Sequence, residues 1–247
     1  MTVCVTVDVE DWYDGMAEVG HALPPPASAP SGLEALRALL TATPDARLTL
    51  FVVGKYCAEV AADLGALAAS GHEVASHGPN HAVPPEAPEA LEDWLRRGRE
   101  MAEDAVGRPV TGFRSPRFRI PAVGLARYRD ILASAGYGYV SDQHRLGSAS
   151  PVKELPVFRW RRLPLGGGSY QRLLPKGSVK PFLSAQREPA VLYYHSYDFG
   201  VPLPSPRASR SPAVLKQVVG RGRIPAVVRE VLSEYGSISC AEAADGV

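Results

Sequence analysis

The chain has 247 residues, 45% of them hydrophobic, which suits one large domain or at most two small ones with ample core. Lys and Arg number 27 against 26 Asp and Glu, with arginines scattered, so there is no electrostatic footprint for nucleic acid or an anionic membrane surface. No basic, apolar leader opens the sequence, and no run approaches the ~18 apolar residues of a membrane span, so a cytoplasmic location is expected.

Residues 2–9 are β-branched and apolar and predict a buried strand, which ends in the acidic, aromatic cluster Asp8 to Asp14. Pro24 to Pro30 predicts a loop, and Ser31 can cap a helix over 32–42 with leucines at 33, 36, 39 and 40. RLTLFVVG (47–54) is a second strand, followed by a helix over 58–70 that closes at Gly71. GHEVASHG supplies the third strand and its turn. A long helix spans 88–105 between Pro88 and Gly107, and Val110 to Phe113 leads into Arg114-Ser115-Pro116-Arg117-Phe118. A helix over 122–135 and a strand from Tyr137 to Ser141 follow. After 150 come short strands (154–159, 162–165) around Gly166-Gly167-Gly168 and a clear strand in Pro189 to Tyr197. A polar loop over 200–212, helices near 212–219 and 224–235, and a final strand around Ser237–Cys240 complete the chain. The alternation predicts a parallel α/β sheet with helices outside it. No repeat, low-complexity block or linker divides the chain, so residues 1–247 read as a single domain. Cys4, Cys57 and Cys240 share no repeated spacing and read as reduced, buried thiols.

In such a sheet, ligands bind beyond the carboxyl ends of the strands. Titratable groups gather at those ends: Asp8, Glu10 and Asp11 after the first strand, His77 and His81 after the third, Arg114 after the fourth, His195 after the late one. Each has an ordinary reading alone: a solvated turn, an ion pair, a histidine satisfied at a sheet edge. Gly166–Gly168 reads as a flexible turn, because neither a helix nor a phosphate-binding lysine is predicted to follow it. The set is more specific than its parts. His77 and His81, four apart, put two rings on one side if they share a helical turn. With one carboxylate they make a site for zinc or a similar divalent ion that leaves a position for water and lowers its pKa. A second carboxylate can serve as general base, Arg114 can keep it ionised, and His195 can protonate a leaving amine. That is the equipment of a metal-assisted amide or ester hydrolase.

The order DVED, SHGPNH, FRSPRF and a late strand bearing a histidine resembles the polysaccharide deacetylases of the NodB-homology type, carbohydrate esterase family 4. The resemblance runs from Val3 to the last strand, and GGGSYQRLLP and LYYHSYDF are similar to the bacterial subgroup associated with exopolysaccharide export. It implies a distorted (β/α) barrel of about seven strands, one divalent metal ion, usually zinc, and removal of N-acetyl groups from sugars. By the same resemblance Asp8 is the general base, His77 and His81 are metal ligands, Arg114 steadies the base, His195 is the general acid, and amides near Arg114–Arg117 help hold an oxyanion. The family's usual pair of adjacent aspartates is absent, because Val9 follows Asp8. Relatives with Asp-Val-Asp spacing use the residue two after the base, which makes Glu10 the third metal ligand, with Asp11 as competitor. Asp142 and Asp198 are the candidates for the acidic partner of His195. Trp12 and Tyr170, with Tyr13 and Trp160, are candidates to stack on sugar faces.

The expected activity is metal-dependent N-deacetylation of an N-acetylated amino sugar, in a small-molecule or oligosaccharide substrate such as a glycoconjugate or a secondary-metabolite precursor. A metal-free amidase on a small cyclic amide and a non-catalytic sugar-binding protein are the alternatives.

Overall fold

The computed structural model describes residues 2–14, 32–143, 151–161, 163–175, 177–186, 189–200, 212 and 218–246. The loop through Pro30, Ser31, and most of the loop and helix expected between 200 and 219 lie outside these residues.

Seven parallel strands form one sheet: β1 (Val3–Val9), β2 (Thr49–Val52), β3 (Glu73–Ser76), β4 (Gly112–Phe113), β5 (Tyr139–Val140), β6 (Lys153–Glu154) and β7 (Ala190–His195). Their order is β6-β5-β4-β3-β2-β1-β7. The edges meet through a single parallel bridge, Val157↔Val191, in which the Phe158 N–H donates to Val191 O at 2.8 Å. One bridge where a full strand pair would sit makes this a distorted, curled (β/α) barrel.

β1 is buried along its whole length, as expected for a strand covered on both faces. Val3, Val5, Val7 and Val9 point outward. They pack with the leucines of α1 (Leu33–Leu40), with α2 (Ala61–Ala69) and with α7 (Ile224–Tyr235). Cys4, Phe51, Ala75, Tyr139, Val157, Val191 and Tyr193 fill the barrel interior. A third cluster joins α3 (Pro88–Val106), α4 (Leu125–Ser134) and the β4–β5 edge through Leu91, Leu95, Phe113, Tyr128 and Leu132.

α3 has Pro88 in its first turn and Gly107 in the left-handed conformation (φ 67°) at its end, as the sequence suggests. Leu91, Leu95, Gly98 and Ala102 form its buried stripe. Gly98 matters most, because a Cβ there would lie 2.8 Å from Gly78 C and Pro79 N. The helix backbone therefore presses directly on the His77–His81 turn.

Among the described residues several expected elements differ, and of the strand expected over 162–165 only the bridge between Leu163 and Trp160 forms. Gly32 (φ 94°), not Ser31, holds the N-cap of α1, since a Cβ at 32 would run into the Ser196 carbonyl. No strand forms at 237–240: Ile238 N–H donates to Val3 O, and Cys240 begins α8 (Cys240–Asp245). The Ser239 hydroxyl accepts from Glu242 N–H while Glu242 accepts from Ser239 N–H, a capping box that outcompetes one β-branched isoleucine. Gly166–Gly168 is followed by a short helix, α5 (Gly168–Gln171); α6 (Lys180–Ser184) comes after it.

Candidate active site

Asp8 lies one residue before the end of β1, buried and facing inward, in register with Phe51 and His195. Its Oδ1 accepts from Arg114 Nη1 at 2.6 Å. The same nitrogen donates to Thr6 Oγ1 at 2.8 Å, while Arg114 Nε and Nη2 donate to Ser141 O and Oγ, each at 2.9 Å. The guanidinium also sits 4.0 Å from the Phe51 ring centroid. Arg114 is fully buried, so these partners replace the water it lost. Its planar fork reaches β1 and the end of β5 together, which a lysine ammonium cannot do.

His77 follows β3, and its N–H extends the ladder to Val52 O at 2.8 Å. Its Nδ1 is 2.9 Å from Arg114 O. A carbonyl only accepts, so we assign the proton to Nδ1, and Nε2 then presents its lone pair inward. Glu10 Oε2 lies 3.5 Å from that Nε2 and 2.6 Å from His81 Nε2. Ligand atoms of Glu10, His77 and His81 all fall within 4.8 Å of one another, and all three residues are buried. Burial alone would raise the Glu10 carboxyl, but the facing imidazoles of His81, His77 and His195 outweigh it and hold the group well below the usual carboxylate range. The two histidines do not share a helical turn. Gly78 (φ 76°) and Pro79 make a non-helical bend that still converges the rings, with centroids 5.6 Å apart. A Cβ at Gly78 would strike the Trp94 ring, so glycine is needed there twice over.

Asp11 lies outside this cluster: its Oδ1 accepts from Tyr13 N–H at 2.8 Å, and burial raises its carboxyl. Geometry therefore brings Glu10, and not its competitor, to the two histidines.

His195 ends β7 on the far side, with Nε2 3.7 Å from Glu10 Oε1. Asp198 Oδ2 accepts from the His195 backbone N–H at 3.0 Å and lies 3.3 Å from Nδ1. Burial disfavours the imidazolium, but Asp198 and Glu10 outweigh it and raise the His195 pKa. Asp142 faces the other way, its Oδ1 accepting from Ser115 N–H at 2.9 Å. Burial pushes its carboxyl up to about 7. Of the two candidate partners, Asp198 is the one that meets His195.

Two amides of the Arg114–Arg117 segment are engaged within the fold. Arg114 N–H donates to Ser76 O, Ser115 N–H to Asp142, and Pro116 has none. Trp12 is half-buried two residues beyond Glu10, edge-on to Tyr13 at 6.3 Å. Tyr170 is half-buried on α5, near the interior Tyr193, whose pKa is raised chiefly by burial. Trp160 turns away from the site and packs on Phe182, ring centroids 5.2 Å apart, against the outer core.

No curated protein matches the sequence. A family model described as polysaccharide deacetylase matches residues 27–140. Residues 27–140 are thus similar to the polysaccharide deacetylase family. A second model, a domain of unknown function (DUF3473), matches residues 133–244. A Mycobacterium smegmatis structure assigned as a polysaccharide deacetylase superposes with TM-score 0.65 at 21% identity, covering 100% of this chain and 89% of that one. A carbohydrate esterase family 4 pseudoenzyme from Bacillus anthracis gives 0.57 at 12%, covering 99% and 65%. An acetyl xylan esterase from Clostridium thermocellum, solved with a cobalt ion, gives 0.53 at 14%, covering 98% and 90%. At these identities the superpositions establish the fold.

The match over residues 27–140 supports a hydrolase of the deacetylase class, acting on amide bonds. Its donor set fits a divalent cation. Two imidazole nitrogens and a carboxylate oxygen converge, and the His77 tautomer is fixed by a carbonyl behind it. The deacetylase model ends at 140, so His195 and Asp198 come from the segment matched by the second model. The pairing of His195 with Asp198 has a sequence signal, the spacing i, i+3. Thr6 shares the inward parity of Asp8. Arg172, Arg221 and Tyr197, described below, had no such signal.

Proposed function

We propose that this protein is a zinc-dependent N-deacetylase of an N-acetylated amino sugar carried on a small conjugate or oligosaccharide. The observation that carries the reading is convergence: Arg114 meets both Asp8 and His77 of the Glu10–His77–His81 cluster, and the Asp198-paired His195 approaches Glu10 to 3.7 Å. Glu10, His77 and His81 would hold the cation, and when bound it supplies Lewis acidity toward an acetyl carbonyl and toward water. Asp8 takes the proton from the attacking water, and Arg114 keeps its carboxylate aimed. His195 gives a proton to the amine nitrogen as the C–N bond breaks, so acetate and free amine leave. Trp12 and Tyr170 flank the site as stacking surfaces for the sugar. Cys4, Cys57 and Cys240 are buried free thiols, which supports a reducing compartment and a substrate made inside the cell. Membership of the exopolysaccharide-export subgroup is supported by GGGSYQRLLP and LYYHSYDF, both within the segment matched by the second model.

A metal-free amidase on a small cyclic amide is the second reading. Metal analysis and acetate release from N-acetylglucosamine conjugates separate the two. Stoichiometric zinc and acetate release that stops on chelation is the expected result. Release that persists in metal-stripped protein favours the amidase, and zinc without any turnover favours a binding protein.

A further inference from the structure

His195 is held by more than Asp198. Asp198 Oδ1 accepts from two buried arginines, Arg172 Nη1 and Arg221 Nε, each at 3.2 Å. Oδ2 is thereby left to the His195 side. Arg221 also lies over the Tyr197 ring at 4.8 Å, and Tyr197 stacks on the His195 imidazole at 4.7 Å, 3° from parallel. The imidazole is thus gripped on its edge by Asp198 and on its face by Tyr197, and Arg221 backs both.

The chain goes to some length to bring these arginines in. The three successive glycines 166–168 have no room for a Cβ. It would meet Phe158 O at 2.7 Å, the Tyr193 ring at 2.9 Å and Tyr194 Cδ1 at 2.7 Å, respectively. Their small size lets the segment lie flat on β7, pairing Gly167 with Tyr193, and carries Arg172 to the end of that strand. Gly220 (φ 74°) sits where a Cβ would be 2.8 Å from Arg172 O, and Arg223 Nη1 donates to that same carbonyl at 2.9 Å. A buried ion cluster of this kind adds little net stability, because desolvation offsets the Coulomb gain. Stability alone therefore does not account for it.

We propose that Arg172 and Arg221 are positioning residues that act through Asp198 and Tyr197 to orient the His195 ring, so that the segment matched as a domain of unknown function serves as an acid-delivery arm. The inference rests on the deacetylase reading for the reaction concerned. His195 carries its proton on Nε2 to the departing nitrogen while Nδ1–H remains bonded to Asp198. A ring that rotates loses that aim but leaves the base and the cation site intact.

The test compares an amide with an activated ester, since an aryl oxide leaves without a proton donor. In the zinc-loaded full chain, Arg172→Gln/Arg221→Gln is expected to lower kcat on an N-acetylglucosamine conjugate about a hundredfold, with KM near that of the parent. Para-nitrophenyl acetate cleavage is expected to stay within about threefold of the parent, because no acid step is needed. The low-field Nδ1 proton of His195, visible by NMR in the parent, should disappear in this variant and return in Arg172→Lys/Arg221→Lys, together with amide turnover. Arg221→Gln alone, which leaves Arg172 on Oδ1, should show the same split at smaller amplitude if the double variant fails to fold. Equal loss on both substrates in a folded variant overturns the proposal, as does no loss on either. A parent inactive on both substrates defeats the deacetylase reading instead. The Nδ1 proton then decides the clamp, and its persistence in the Gln variant overturns it.

Discussion

Arg114 shows how a single side chain organises this site. Its Nη1 is spent on Asp8 and Thr6, its Nε and Nη2 on Ser141, and its carbonyl on His77. One residue thus aims a carboxylate and fixes an imidazole tautomer. Asp8→Asn should lower kcat by roughly 10²- to 10⁴-fold while calorimetric zinc affinity is unchanged. Acetate release equal to the parent's would remove Asp8 as base. Asp142 makes a different prediction. Burial raises its carboxyl from 3.8 to about 7, so the folded chain holds the proton longer than the unfolded chain. The stability this contributes is complete below the unfolded value and is lost as pH rises through the folded one. Asp142→Asn keeps an oxygen for Ser115 N–H and should flatten that loss. Urea unfolding at about pH 5 and about pH 8 measures it, and an unchanged slope would rule out Asp142 as its source.

At the scale of elements, helices act on the site by how closely they approach it. α3 presses on the His77–His81 turn because Gly98 has no side chain. Gly98→Ala costs nothing in helix propensity, yet it should weaken zinc binding about tenfold by moving the turn that carries His77 and His81. Calorimetry would show this, and unaltered affinity would mean that the contact is only packing. α8 closes the barrel's amino end with the Ser239–Glu242 capping box. Ser239→Ala should cost about 1 kcal/mol in unfolding free energy, with turnover intact. The box was present in the sequence as Ser-x-x-Glu, where the single Ile238 suggested a strand instead. The longer elements were legible because each has a local cause. Alternate valines in β1 and the Leu91, Leu95, Gly98 and Ala102 stripe of α3 declare their faces without reference to the rest of the chain.

At the scale of the molecule, a cation held between β1 and the turn after β3 would tie distant parts of the fold together. A ligand that binds only the native state stabilises it by mass action. Zinc at a hundredfold excess over Kd should add about 2.7 kcal/mol, or roughly 5–10 °C in Tm, and His81→Ala should abolish the shift. No Tm change in the parent would argue for the metal-free reading. The sequence alone determined the parallel α/β plan and the strand ends bearing Asp8, Glu10, His77, His81, Arg114 and His195. Buried runs, side-chain parity and turn residues are properties of short segments. Tertiary structure decided that Glu10 and not Asp11 joins the histidines, and that Asp198 and not Asp142 meets His195. It also decided that Arg172 meets Asp198 just beyond the end of β7. Those choices depend on contacts such as Arg114 with Asp8, 106 residues apart, and no local pattern carries information about which distant side chain will occupy the same few ångströms.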